Sequence, residues 1–366
     1  MPFDVHEFPD VSRMDRAATR QSRRLVAIWL FTVAGMILVM IALGGATRLT
    51  GSGLSIMEWA PLTGALPPSG DTEWNRLFAL YQKIPQYALV NDGFGLDGFK
   101  HIFWLEWTHR LWGRLIGVVF LLPMLWLGVT GRIERRLLPR LALLFGLGGL
   151  QGAIGWFMVA SGFLPETTAV SPYRLVAHLV LALMLYAAIV WTGLSALYPV
   201  RFGKLDYPVL RRLTGVSLGM VSLTILAGGF TAGLHAGLTY NTFPLMDGRL
   251  VPDGYASMTP FVRNLTENVA AVQFDHRLLA TLTLIVVSAL AALVWRSKLP
   301  KPLSLSLAAA VACQYALGIA TLLLVVPVSV ATLHQGGAVI LLTVVLIVMH
   351  HVSGGSPVRK TEAASQ

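Results

Sequence analysis

The stretch FWLEWTHRLWGRLIGVVFLLPMLWLG, residues 103–128, decides the fold. As a helix rising 1.5 Å per residue it reaches about 39 Å, more than the roughly 30 Å hydrocarbon core of a bilayer. Seven further apolar stretches are long enough to cross, at roughly 25–46, 141–161, 172–194, 212–234, 269–295, 303–326 and 330–351. The chain reads as an all-α integral membrane protein with eight transmembrane helices. The composition of all 366 residues agrees: 55% are apolar and only 13% charged, about half the charged share of a soluble domain. A soluble enzyme, a disordered chain and a disulfide scaffold are excluded, because too little polar surface exists to cover a soluble globule. The single cysteine, Cys313, lies inside an apolar run, which rules out an intramolecular disulfide, a redox pair and a thiolate zinc site.

Basic residues set the topology. Arg13, Arg16, Arg20, Arg23 and Arg24 precede the first span; Arg132, Arg135, Arg136 and Arg140 follow the second; Arg201, Lys204, Arg211 and Arg212 follow the fourth. Arg296, Lys298 and Lys301 follow the sixth, and Arg359 and Lys360 end the chain, so 18 of 28 basic residues fall on one side. The positive-inside rule makes that side cytoplasmic, with both termini there and the long connections 47–102 and 235–268 outside. The net charge of +10 then points to anionic lipid rather than nucleic acid. The first 24 residues lack an apolar signal region and carry Asp4, Glu7, Asp10 and Asp15, unlike a presequence. A cytoplasmic tail in a bacterial inner membrane is expected; an organelle protein trimmed of its presequence is the alternative.

The two halves repeat. Gly44-Gly45-Ala46-Thr47 matches Gly228-Gly229-Phe230-Thr231, and Gly53-Leu54-Ser55 matches Gly237-Leu238-Thr239, both at an offset of 184. Trp107-Thr108-His109-Arg110-Leu111 then matches Phe274-Asp275-His276-Arg277-Leu278, Gln151 with Gly155 matches Gln314 with Gly318, and His178 matches His334. A unit of four helices starts and ends on one side, so the copies should be parallel four-helix bundles about an axis along the membrane normal. The chain divides into a tail at 1–24, a first bundle at 25–200, a second at 201–352 and a tail at 353–366.

Nine histidines occur. His6, His350 and His351 lie on the cytoplasmic side and read as solvated or interfacial; His101 and His235 lie outside without counterparts in the other half. His109, His178, His276 and His334 differ. Each stands five to seven residues inside an inward-running span, about 10 Å deep. All four therefore share one depth near the outer face, one pair per bundle. A lone histidine of this kind is often a hydrogen bonder between helices, but two matched pairs suit axial ligation of one haem iron per bundle. Zinc would want further ligands, and only the first bundle offers a carboxylate one helical turn from its histidine.

That carboxylate is Glu106, three residues before His109 and on the same helix face. Its counterpart in the second half is the neutral Gln273. Beside a haem edge a carboxylate serves as a base or stabilises positive charge. The asymmetry puts chemistry in the first bundle and electron transfer in the second. The plainer reading makes Glu106 an ion-pair partner of Arg110 or Arg114. Arg110 and Arg277 follow their histidines directly and are candidates for haem propionates.

The run from Gly44 to Ser55, then Trp59-Ala60-Pro61 and Gly64, resembles the start of haem A synthases. So do Glu106-Trp107-Thr108-His109-Arg110, Gly228–Gly233 and Asn241-Thr242-Phe243-Pro244-Leu245-Met246. The resemblance covers residues 25–351 and looks most like the alphaproteobacterial and mitochondrial branch. It implies oxidation of the C8 methyl of haem O to the formyl group of haem A, in two steps with oxygen from water, for cytochrome c oxidase assembly. It also implies a haem b cofactor on His276 and His334, substrate haem on His109 and His178, and Glu106 as the essential acid beside the substrate. Haem O synthase and oxidase assembly factors become expected partners, and homo-oligomerisation is left open. Some relatives carry an outer-loop cysteine pair, which this chain lacks, so no thiol-based electron route is available to it.

The outer loop 47–102, with Trp59, Trp74, Tyr81 and Tyr87, reads either as a cap over the substrate or as an aromatic belt. The paired glycines suit close helix approach, or close approach of backbone to a porphyrin. Gln151 and Gln314 read as hydrogen bonders between helices. A di-haem b electron-transfer protein is the main alternative, disfavoured because its ligand pairs would sit at different depths. A transporter of parallel repeats would show broken helices and ionisable residues near the midplane.

Overall fold

The computed structural model describes residues 11–198 and 207–353. Arg201, Lys204, Arg359, Lys360 and His6 lie outside the described residues, as do the side chains of Arg13 and Arg16. The helices are α1 (Val11–Leu49), α2 (Gly70–Tyr81), α3 (Pro85–Val90), α4 (Leu96–Val129), α5 (Leu138–Ala160), α6 (Pro172–Leu197), α7 (Pro208–Gly233), α8 (Asn264–Glu267), α9 (Val269–Arg296), α10 (Lys301–Leu323) and α11 (Val328–Val352). Eight are long and apolar enough to span a bilayer, and no strand occurs among the described residues. Proline at the first turn of α5, α6, α7 and α10 starts each where its missing N–H costs nothing.

Helices α1, α4, α5 and α6 pack as one closed ring and α7, α9, α10 and α11 as another. The rings meet through α1 against α11, and through α6 against α7 and α11. Leu115, Leu122, Leu125, Leu143, Met184, Leu223, Ile285, Leu305 and Ile340 point away from both, as helices solvated by lipid require. Polar pins hold the seam: Tyr186 to Thr343 at 2.7 Å between hydroxyls, and Gln335 Nε2 donating to the Ile41 carbonyl at 3.0 Å.

Three expectations are corrected. Helix α4 begins at Leu96 rather than near 103, so His109 sits in its fourth turn; the extra turns carry Phe99 and Ile102, which pack against α2 and the turn after it. His178, His276 and His334 keep the expected depth, six or seven residues into α6, α9 and α11. The segment 47–102, read as a loop, carries two helices of its own. Helix α2 buries Trp74, Leu77 and Tyr81, and the turn before α3 buries Ile84, against Phe99, Ile102 and Phe103 of α4, with Leu54 in the same cluster. Tyr81 is fully buried, its hydroxyl accepting from Asn91 at 2.6 Å and donating to Gln86 at 3.1 Å, while Gln86 reaches the Gly51 carbonyl at 3.0 Å. Last, His350 is buried rather than solvated, with its ring edge-on to Trp191 at 5.2 Å; His351 is exposed.

Candidate active site and paired histidines

Each of the four histidines lies against a glycine of a neighbouring helix. A methyl group at Gly44 would stand 3.1 Å from Nε2 of His109, and at Gly155 2.8 Å from Cε1 of His178. In the second ring the same holds for Gly228 and His276, and for Gly318 and His334, at 2.9 Å each. Only glycine lets the rings approach so closely. The paired glycines divide the work. Gly44 and Gly228 cradle a histidine of their own ring, while Gly45 meets Gln335 and Gly229 meets Val176, both across the seam.

The rings are also tied by hydrogen bonds. Gln151 lies one turn before Gly155 on α5, and its amide is 3.1 Å from Nδ1 of His178. Gln314 holds His334 the same way on α10, at 3.1 Å, and Nδ1 of His276 contacts the Thr224 carbonyl at 3.1 Å. The glutamines do bond between helices, and their partners are the histidines themselves. The sequence pattern Gln-x-x-x-Gly was the available signal, since residues four apart share a helix face.

The second pair fits a porphyrin iron. His276 and His334 face each other with ring centroids 6.5 Å apart, and an ion about 2 Å from one nitrogen of each ring gives a separation of roughly 6 Å. Gln151 and Gln314 each keep a buried Oε1 without a partner. The Nε2 of each also donates to the backbone carbonyl of the histidine it faces, at 2.9 Å for His178 and 3.0 Å for His334, so each amide grips both ring and backbone. Among the described residues no three of His, Cys, Asp or Glu gather as a metal group, so the arrangement is paired rather than tetrahedral. Gly228→Ala is expected to displace His276 and lower the haem retained on purification. Gly336→Ala, whose methyl meets nothing within 4 Å, leaves it unchanged. A haemochrome assay per mole of protein checks both.

Glu106 is buried at 2% exposure, one turn before His109 on α4. Its Oε2 accepts from Ser55 Oγ at 2.7 Å and from the Ile56 amide at 2.9 Å. Its Oε1 accepts from Arg110 Nη2 at 2.6 Å and Nε at 3.1 Å. Arg110 also donates to the carbonyls of Ile56 at 2.7 Å and Glu58 at 2.9 Å. The ion pair and the carboxylate beside the histidine are therefore one feature. Arg114 takes the carbonyls of Ala60 and Pro61 instead.

The second ring repeats this strap with opposite polarity. Arg277 donates to the carbonyls of Tyr240 at 2.5 Å and Thr242 at 2.8 Å, which are the counterparts of Ile56 and Glu58 at the offset of 184. Gln273, buried at 2% exposure, accepts from Arg277 at 3.1 Å. Its Nε2 donates to the carbonyls of Ala236 at 2.8 Å and Thr239 at 2.7 Å. One loop offers donors to a carboxylate; the other offers acceptors to an amide. Both arginines proposed for propionates thus hold loop carbonyls. Gln273→Glu would set a buried charge against two carbonyl oxygens, a cost of several kcal/mol. The expected result is a marked fall in thermal unfolding temperature in detergent and loss of bound haem, while Gln273→Asn is milder.

Sequence reasoning missed the support at the N-terminus of α9. Asn268 caps this helix by accepting from the amides of Ala270 and Ala271 at 3.0 and 3.3 Å. Tyr255 donates to Asp275, the neighbour of His276, at 2.9 Å. Burial, and then Asp275, hold the Tyr255 phenol above its ordinary range.

Comparison with known proteins bears on this arrangement. A family model described as cytochrome oxidase assembly protein (COX15-CtaA) matches residues 27–346. A protein of Granulibacter bethesdensis named heme A synthase is 64% identical over 337 residues, covering 92% of this chain and 89% of that protein. The chain belongs to the haem A synthase family. A family member from Rhodospirillum centenum is 49% identical, with 89% of this chain and 88% of its own covered. One from Acidiphilium cryptum, named heme A synthase 2, is 46% identical over 89% of this chain and 91% of its own. The haem A synthase match thus spans both rings and all four histidines.

Proposed function

We propose that the protein is a membrane haem A synthase that oxidises the C8 methyl of haem O to the formyl group of haem A. Two successive hydroxylations are required. Each adds a water oxygen, passes two electrons to an external electron acceptor and releases two protons; the second product sheds water to leave the formyl group. His109 and His178 hold the substrate haem, and His276 and His334 hold a haem b cofactor. When bound, that cofactor supplies a one-electron site near the substrate.

The observation that carries the reading is the exchange of Glu106 for Gln273 between two otherwise matching histidine pairs. Four donors fix the Glu106 carboxylate as an anchored negative charge one turn from His109. Such a charge favours positive character developing on a methyl carbon nearby, most of all where water is excluded. Trp59 stacks on Trp156 at 6.2 Å, and Arg110 lies over Trp156 at 5.6 Å, so the capping segment is tied to α5 across the site. The cap keeps solvent from the reacting carbon, and the glycine cradles hold the imidazoles in register.

The clustered basic residues support a multi-pass protein of the bacterial inner membrane with cytoplasmic termini, so that both haem sites lie near the outer face. Haem O synthase and oxidase assembly factors fit as supplier and recipient. The test is pigment extraction and chromatography of protein coexpressed with a haem O synthase. Haem A together with haem b supports the reading. Two equivalents of haem b alone would replace it with a di-haem electron carrier.

A further inference from the structure

Arg48 is the last basic residue of α1, one turn outward of Gly44 and on the same face, so its backbone stands over the glycine that cradles His109. Its Nη1 donates to the Ala232 carbonyl at 3.0 Å. Ala232 occupies the matching place on α7, one turn outward of Gly228, which cradles His276. The guanidinium therefore lies on the outer rim between the two histidine sites. It is half-buried, and no acidic side chain pairs with it among the described residues. A single carbonyl uses one of its five N–H groups. The neighbouring His235 feels this charge: burial first, and then Arg48, hold its imidazole below the ordinary range.

Three other arginines stand near the first pair, and Arg174, one turn before His178 on α6, donates to the Phe157 carbonyl at 2.8 Å and lies over the Phe157 ring at 3.8 Å. Arg110 holds Glu106 and two carbonyls, and Arg114 holds two more. Arg48 keeps a flat fork of donors at the rim, and the second half has a methyl group in its place. A planar fork of this kind matches a carboxylate in a two-point contact. A porphyrin held by His109 and His178 carries two such groups.

We propose that Arg48 binds a propionate carboxylate of the substrate porphyrin and so sets which ring edge faces Glu106. This rests on the functional reading above. The test titrates ferric haem O, and its propionate dimethyl ester, into detergent-purified protein from cells lacking haem O synthase, followed by Soret absorbance. Wild type is expected to favour the free acid over the ester by roughly tenfold or more, the range of charge-assisted hydrogen bonds. Arg48→Leu binds both at the ester's affinity, Arg48→Lys falls between, and the resident haem keeps its content and spectrum. The proposal is overturned if wild type shows no preference for the acid, or if Arg48→Leu retains it. It is also overturned if acid and ester weaken in parallel, or if the resident haem is the one lost. Coexpressed wild type that makes no haem A overturns the functional reading instead, whatever the titration shows.

Discussion

Glu106→Gln protein, purified from cells that supply haem O, is expected to hold haem O and haem b but almost no haem A. Turnover should fall by about 10²–10⁴, the range for losing a positioned acidic group. The substitution keeps the volume and removes the charge. It also sets an NH₂ group against donors, since Ser55, the Ile56 amide and Arg110 all point at this side chain. Part of the effect is structural, because removing one partner of a buried ion pair costs about 3–5 kcal/mol. Two readouts separate the contributions. Retained haem b shows that the second ring is intact, and thermal unfolding reports the cap. Glu106→Asp keeps the charge but withdraws it by one methylene, and should recover part of the haem A. Wild-type haem A in the glutamine variant would remove Glu106 from the chemistry.

The second large effect concerns the histidine pairs. His276→Ala and His334→Ala should each yield protein without its resident b-type haem and without haem A. His109→Ala and His178→Ala should keep the b-type spectrum while losing the substrate haem. The reason is the separation of the sites: each pair is cradled by glycines and tied by a glutamine within its own ring. Losing one axial ligand leaves an iron site one donor short, in an apolar place where water replaces imidazole poorly. Reduced-minus-oxidised spectra with extracted pigments distinguish the four variants. Identical losses in all four would show that the rings do not hold separate haems.

Much of this was legible in residue order. Span number followed from apolar length, because backbone polar groups in lipid must be satisfied within a helix. The histidine pairs and the Glu106–Gln273 difference followed from the repeat, since it aligns matching positions of the two halves. Three things needed the folded chain. The segment 47–102 carries glycine and proline signals typical of a loop, yet it is a helical cap whose aromatic core forms only against the outer turns of α4. His350 looked interfacial from its place near a helix end, but the packing of Trp191 buries it. Arg110 and Arg277 looked like anion ligands from their place beside histidines. Their carbonyl partners lie some 35 to 54 residues away in sequence and come within reach only once the outer segments fold back. Periodicity and spacing determined which groups share a face and a depth. Tertiary structure decided which of them already have partners, Arg277 keeping only a buried Nε without one, because a hydrogen-bond partner distant along the chain leaves no trace in local pattern.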